Sequence, residues 1–264
     1  MKRVVTGLIL IPLFIYIVLW SPYLLFLAVV AAVAMLSFRE YARLMSHYNV
    51  RAPGVFGYAA GLLILFLPRL DFVFVVFIAL LALGLAMTTH DLAHTLPFAG
   101  SLLLGIVYVF GCMRMTIELR RGFGHDGAFW LLFALSVNWV GDIAAFYAGR
   151  SWGRHKFAPR VSPAKSWEGA AASTAMSLIY AAVYFSFLIK DVPLPWALGI
   201  AAAGNMAGQI GDLCESAIKR GAGVKDSGTM LPGHGGWLDR IDSSLFALPV
   251  VYYLANLQLQ ILGH

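Results

Sequence analysis

The sequence predicts an all-α, polytopic membrane protein with about nine transmembrane helices, and three observations predict it. Of the 264 residues, 60% are hydrophobic and only 12% are charged, against roughly 25% charged in an ordinary soluble domain. Apolar runs follow one another along the chain with short polar punctuation between them, and a spanning helix needs about 20 such residues. The few charges are concentrated beside the ends of the later runs, where an ionisable group is costly and therefore a functional candidate.

The candidate spans are Val4–Trp20, Tyr23–Phe38, Gly54–Leu67, Phe72–Thr88, Pro97–Ile117, Ala128–Ala148, Ala170–Ile189, Pro195–Gly211 (continuing as helix to about Arg220) and Ser243–Leu262. The opening Met1-Lys2-Arg3 and its apolar run form a retained first span, since no small-residue cleavage site follows them. Ser21-Pro22, Pro53-Gly54, Pro68-Arg69 and Asp191-Val192-Pro193 mark boundaries. Small residues at Gly204, Gly208 and Gly211 and at Ala170–Ala172 suit close helix packing. Cys112 and Cys214 fall in different runs, so no disulfide framework is implied, and Cys214 reads as a small buried thiol. The whole chain, 1–264, reads as one integral membrane domain. Residues 1–120 supply spans of uncertain role, and residues 128–262 supply catalytic helices and loops.

Orientation follows from Lys and Arg. If the spans alternate, the side holding the N-terminus carries fourteen of the 19 basic residues, and the other side carries Arg69, Arg114, Arg120, Arg121 and Lys190. Positive charge marks the cytoplasmic face. The N-terminus and both long polar loops are therefore expected in the cytoplasm. The net charge of +6 reports this topology and attraction to anionic lipid, not nucleic acid.

Three constellations carry chemistry. Asp142 and Asn138 share a helix face near the cytoplasmic end of their span. A functional carboxylate is the preferred reading there, against a structural hydrogen bond between helices. The loop Arg150–Glu168 brings five bases and one acid. Arg150 and Arg160 read as headgroup-facing charges. Ser166 can cap the next helix, with Glu168 in its first turn. Lys165 then stands near a helix N-terminus, a natural anion site. For Ser162, Lys165 and Ser166, phosphate binding and plain capping stand side by side. The third stretch, 212–242, holds Asp212, Glu215, Ser216 and Lys219 at helical spacing, then Asp239 and Asp242 three residues apart. If their two helices pack together, the carboxylates converge. Oxygen ligands without a His or Cys cluster suit Mg²⁺, which binds through one or two carboxylates plus substrate phosphates. Lys219, Arg220, Lys225 and Arg240 would offset phosphate charge, and Gly233-His234-Gly235-Gly236 would let backbone amides approach a ligand.

The run Ser216-Ala217-Ile218-Lys219-Arg220, then Lys225-Asp226-Ser227-Gly228, then Leu231-Pro232-Gly233-His234-Gly235-Gly236-Trp237-Leu238-Asp239-Arg240-Ile241-Asp242, resembles the signature of the phosphatidate cytidylyltransferases (CDP-diacylglycerol synthases). The segment Asp142…Tyr147…Gly149 and the loop Ser162-Pro163-Ala164-Lys165-Ser166-Trp167-Glu168-Gly169 extend the resemblance. The resemblance implies transfer of a cytidylyl group from CTP to phosphatidic acid, with Mg²⁺ and a second cation (K⁺ or another divalent ion). It also implies that Asp212 and Asp239 are metal-binding aspartates.

The expected catalytic residues are Asp212, Asp239, Lys219, Arg220, His234 and Arg240. Substrate contacts are expected from Ser162, Lys165, Ser166, Ser216, Lys225, Asp226, Gly235 and Gly236. Metal ligands are expected among Asp212, Asp239, Asp142, Asp242 and Glu215. The partners implied are CTP, phosphatidic acid and membrane lipid, without nucleic acid, and the reading admits a homodimer. The location implied is a bacterial-type inner (cytoplasmic) membrane with the site facing the cytoplasm. A transporter would spread its charges through the bilayer midplane, whereas these lie to one side. The paired-aspartate motif of CDP-alcohol phosphotransferases is absent from the sequence, and a structural scaffold has no use for the glycine-rich turn between acidic helix ends.

Overall fold

The structure is a computed structural model that describes residues 2–67, 72–88, 92–231, 233 and 235–262. The expected Pro68-Arg69 boundary and His234 lie outside the described residues. Among the described residues ten α-helices follow in chain order: α1 (Lys2–Leu19), α2 (Tyr23–His47), α3 (Gly54–Phe66), α4 (Phe72–Ala86), α5 (Thr95–Gly105), α6 (Cys112–Gly122), α7 (Gly127–Trp152), α8 (Trp167–Leu188), α9 (Leu194–Gly221) and α10 (Leu238–Leu262). A π-helical turn, Ile106–Gly111, joins α5 to α6. Among the described residues there is no β-strand, only the isolated bridges Lys156–Ser166 and Leu231–Gly235.

The all-α expectation holds, and the helices fall close to the nine predicted runs. Among the described residues, five helical segments are long and apolar enough to cross a membrane: Tyr23–His47, Leu92–Gly122, Gly124–Trp152, Trp167–Leu188 and Leu238–Leu262. Gly54–Phe66 and Val73–Ala86 are shorter apolar helices. The 28-residue α9 is not one of the five. It carries Asn205, Gln209, Asp212, Glu215 and Lys219, which interrupt any continuous apolar window. The expected count of about nine is not confirmed among the described residues.

The chain divides into two compact units. The first comprises Met1–Phe26, Met115–Ala217 and Ile241–His264. Lipid is as apolar as leucine, so close packing and buried polar bonds must hold such helices together. Gly141 of α7 faces Ser173 and Ser177 of α8 and Asn205 of α9, with no room for a side chain of its own. Asn205 Nδ2 donates to Ser173 Oγ (3.0 Å), while Thr174 Oγ1 (3.1 Å) and Gln209 Nε2 (2.7 Å) donate to Asn205 Oδ1. Gly204 packs on Val251, and Gly211 packs on the backbone of Asp242 and the ring of Phe246, so α9 and α10 touch directly. These glycines have the packing role expected of them. Arg120 donates to Ser21 O (2.7 Å) and lies over the Phe26 ring, which ties α6 to the α1–α2 turn.

The second unit comprises Leu27–Arg114 and Ile218–Arg240. Its centre is aromatic. Phe38, Tyr41 and Phe110 are fully buried, with Phe110 seated against Gly61 and Tyr41 against Gly105. Tyr41 Oη donates to Ser101 O at 2.9 Å. Arg114, counted by the sequence toward the non-cytoplasmic side, is buried, and its Nη1 donates to Ile64 O (2.7 Å) and Leu67 O (2.6 Å). It closes the carbonyl end of α3, where a cation is favoured.

Candidate active site

In the first unit the site is assembled by the 153–167 loop and by α7, α9 and α10. After α7 ends, the chain doubles back. Phe157 N donates to Lys165 O (3.3 Å), Trp167 N donates to His155 O (2.9 Å), and the rings of Phe157 and Trp167 pack at 4.8 Å. His155 Nδ1 and Glu168 Oε1, 2.6 Å apart, fasten the base of this turn. Ser162 is half-buried in the bend, where its carbonyl accepts from Lys165 N (3.1 Å). Ser166 is buried, and its Oγ accepts from Gly169 N at 3.2 Å, so it caps α8 as one of the two readings held.

This turn aims Lys165 at α9. Its Nζ lies 2.5 Å from Asp212 Oδ2, while Ser216 Oγ donates to Asp212 Oδ1 at 3.2 Å. Asp142, exposed on α7, is within electrostatic reach of both Asp212 and Lys165. Two carboxylates and a lysine are thus gathered from three places in the chain. Glu215 is fully buried. Asp242 is half-buried, and its Oδ1 accepts from Ser243 N at 2.7 Å. Cys214, expected to be buried, is exposed instead.

In the second unit the signature residues 218–240 wrap around the carboxylate of Asp239. Asp239, in the first turn of α10, is 8% exposed, a degree of burial that is rare for a carboxylate without a partner. Lys219 Nζ donates to its Oδ1 at 2.6 Å, Gly236 N to its Oδ2 at 2.8 Å, and Ser227 N to the same oxygen at 3.0 Å. The glycines have a steric purpose here. Gly235 has φ +82°, which favours glycine, and a Cβ on it would lie 2.6 Å from Asp239 Oδ2. Arg220, Lys225, Asp226 and Arg240 are exposed, and Arg220 Nη1 reaches Val224 O at 3.2 Å.

Sequence reasoning missed Glu40, on α2. It is 2% exposed and contacts the signature residues Ser227 and Leu238 through its Oε2. Only one signal could have found it: an acid at the end of an apolar run, in a segment otherwise read as bare span.

Among the described residues no three of His, Cys, Asp and Glu form a metal-binding group. Two carboxylates within reach of each other, Asp142 and Asp212, nevertheless match Mg²⁺, which takes one or two protein carboxylates and completes its shell with phosphate and water. Asp239 is already saturated by protein donors and would have to give up Lys219 to take a cation.

Helical spans of membrane length, with lysine–aspartate pairs set into polar stretches beside them, define a multi-pass membrane protein equipped to handle phosphate. A model of the cytidylyltransferase family matches residues 1–258, and the chain belongs to that family. It is similar to a phosphatidate cytidylyltransferase of Bacillus subtilis (strain 168), with 34% identity and 97% of each chain covered. A phosphatidate cytidylyltransferase of Staphylococcus aureus (strain COL) is 34% identical over 84% of this chain and 86% of its own. One from Haemophilus influenzae is 38% identical over 56% of this chain and 53% of its own.

Proposed function

We propose that this protein transfers the cytidylyl group of CTP to phosphatidic acid, giving CDP-diacylglycerol and pyrophosphate in phospholipid synthesis. The observation that carries the reading is the folding of the signature stretch around the buried carboxylate of Asp239, in a chain similar over 97% of its length to a phosphatidate cytidylyltransferase. One substrate is a lipid and the other a soluble polyanion, so the reaction belongs at a lipid–water boundary.

A phosphatidate oxygen attacks the α-phosphorus of CTP in line. The new P–O bond forms as the bond from the α-phosphorus to the bridging oxygen breaks, and pyrophosphate leaves with that electron pair. The phosphomonoester is already largely ionised near neutral pH, since its second pKa is about 6. No strong protein base is required, and no covalent enzyme intermediate forms. Lys165 presents an ammonium from its turn that offsets phosphate charge, and Lys219, Arg220, Lys225 and Arg240 of the signature are assigned the same kind of role by the resemblance-based reading. Asp142 and Asp212 are the residues that would hold Mg²⁺, which when bound neutralises phosphate charge. Asp239, Asp242 and Glu215 complete the proposed acidic set, and a second cation belongs to the same proposal.

The proposed topology has nine crossings, with the N-terminus and both polar loops in the cytoplasm of a bacterial-type cell. Its support is the bias of basic residues toward one side. Isotope exchange between labelled pyrophosphate and CTP tests the reaction type. Exchange is expected with phosphatidate present and none in its absence. Exchange without lipid would mean a covalent cytidylyl-enzyme, and none under any condition would favour a carrier.

A further inference from the structure

Glu40 lies near the cytoplasmic end proposed for α2, 187 residues before the nearest signature side chain it touches. It is a carboxylate at 2% exposure, and among the described residues no cation pairs with it. Burying such a group is costly unless hydrogen bonds compensate, and here they come from the signature itself. Oε2 accepts from Leu238 N at 2.8 Å, at the first turn of α10, and from Ser227 Oγ at 3.1 Å. An anion at a helix N-terminus is favoured by the dipole as well as by the bond.

Both donors flank Asp239. Leu238 precedes it in the chain, and the backbone N–H of Ser227 donates to both of its carboxylate oxygens. Two glycines make room for this carboxylate. A Cβ on Gly228 would collide with Glu40 Oε1, and one on Gly236 with Glu40 Oε2 and, at 2.5 Å, with Ser227 Oγ. Glu40 is therefore enclosed by residues 227, 228, 236 and 238 and is shut off from any ligand.

We propose that Glu40 is a positioning residue: through Ser227 and the first amide of α10 it holds Asp239 in register for the transfer reaction. The inference rests on the proposed function for its kinetic part and on the hydrogen-bond geometry for its structural part. It gives the first 120 residues a task beyond spanning, because α2 supplies the fixed point of a loop that follows far later in the chain.

The test uses the purified full-length protein in detergent, with CTP, phosphatidate and Mg²⁺. Glu40→Ala removes the oxygen that accepts both bonds and is expected to lower kcat about ten- to hundredfold, the equivalent of one hydrogen bond to a charged group, with KM for CTP little changed. Glu40→Gln keeps an amide oxygen that can accept both bonds, and it is expected to restore most of the turnover. Hydrogen exchange at the Ser227 and Leu238 amides should accelerate in the alanine variant and not in the glutamine variant. Where Glu40→Ala does not fold, Ser227→Ala decides: lower kcat at unchanged KM supports the link, and unchanged kcat overturns it. Wild-type turnover in Glu40→Ala, equal damage in both Glu40 variants, or a change in KM alone would each overturn the positioning role. If the unaltered protein makes no CDP-diacylglycerol, the reaction assignment fails, while the exchange measurement still decides whether Glu40 holds the Leu238 amide directly and the Ser227 amide through the Ser227 hydroxyl.

Discussion

The two lysine–aspartate pairs look alike on paper but should behave differently. Lys165 and Asp212 are 25% and 33% exposed at their side chains, and pairs in such surroundings contribute about 0–1 kcal/mol. Lys165→Ala should leave the melting temperature in detergent nearly unchanged while cutting turnover, as measured by CDP-diacylglycerol formation. Lys219 and Asp239 are only 11% and 4% exposed. Removing one partner of a buried pair costs about 3–5 kcal/mol, so Lys219→Ala should lower thermal stability as well as activity. Lys219→Ala/Asp239→Ala together should destabilise by less than the sum of the single changes; strict additivity would mean the two groups do not depend on each other. Arg150, exposed at the end of α7, should tolerate alanine with little loss of activity, and complete loss would mean that the loop contributes more than Lys165.

At the scale of elements, local rules carried most of the reading. Apolar runs and Pro/Gly punctuation placed the helices to within a few residues, and Ser166 was identifiable as a cap because Ser followed by Glu in the first turn is a local pattern. The segments that bring distant residues together were not legible. Nothing local says that Lys165 will meet Asp212, or that Arg114 turns inward to close α3. Cys214 was misread because composition alone does not say which side of a polar helix is covered. Glu40 escaped because its partners lie at Ser227 and Leu238, far beyond any periodicity window. Arg114→Ala should free the terminal carbonyls of α3 and cost about 1.5–3 kcal/mol, the usual worth of hydrogen bonds to a charged group, read as a fall in the melting temperature in detergent. No change would show that α3 ends stably without it.

For the molecule as a whole, the proposed orientation rests on the bias of basic residues. Of the five assigned to the non-cytoplasmic side, Arg114 and Arg120 are engaged with backbone carbonyls inside their units. Single cysteines at position 154 and at position 190, in a protein freed of Cys112 and Cys214, should react with an impermeant thiol reagent from opposite faces. Reaction from the same face would refute the alternating topology.

The most direct measurement is product formation by purified protein from labelled CTP and phosphatidate, with and without Mg²⁺, alongside Asp212→Asn and Asp239→Asn. Labelled CDP-diacylglycerol from the wild type in Mg²⁺ only, and none from either folded variant, is the expected result. Normal turnover in either variant, or CTP left unconsumed by the wild type, would contradict it.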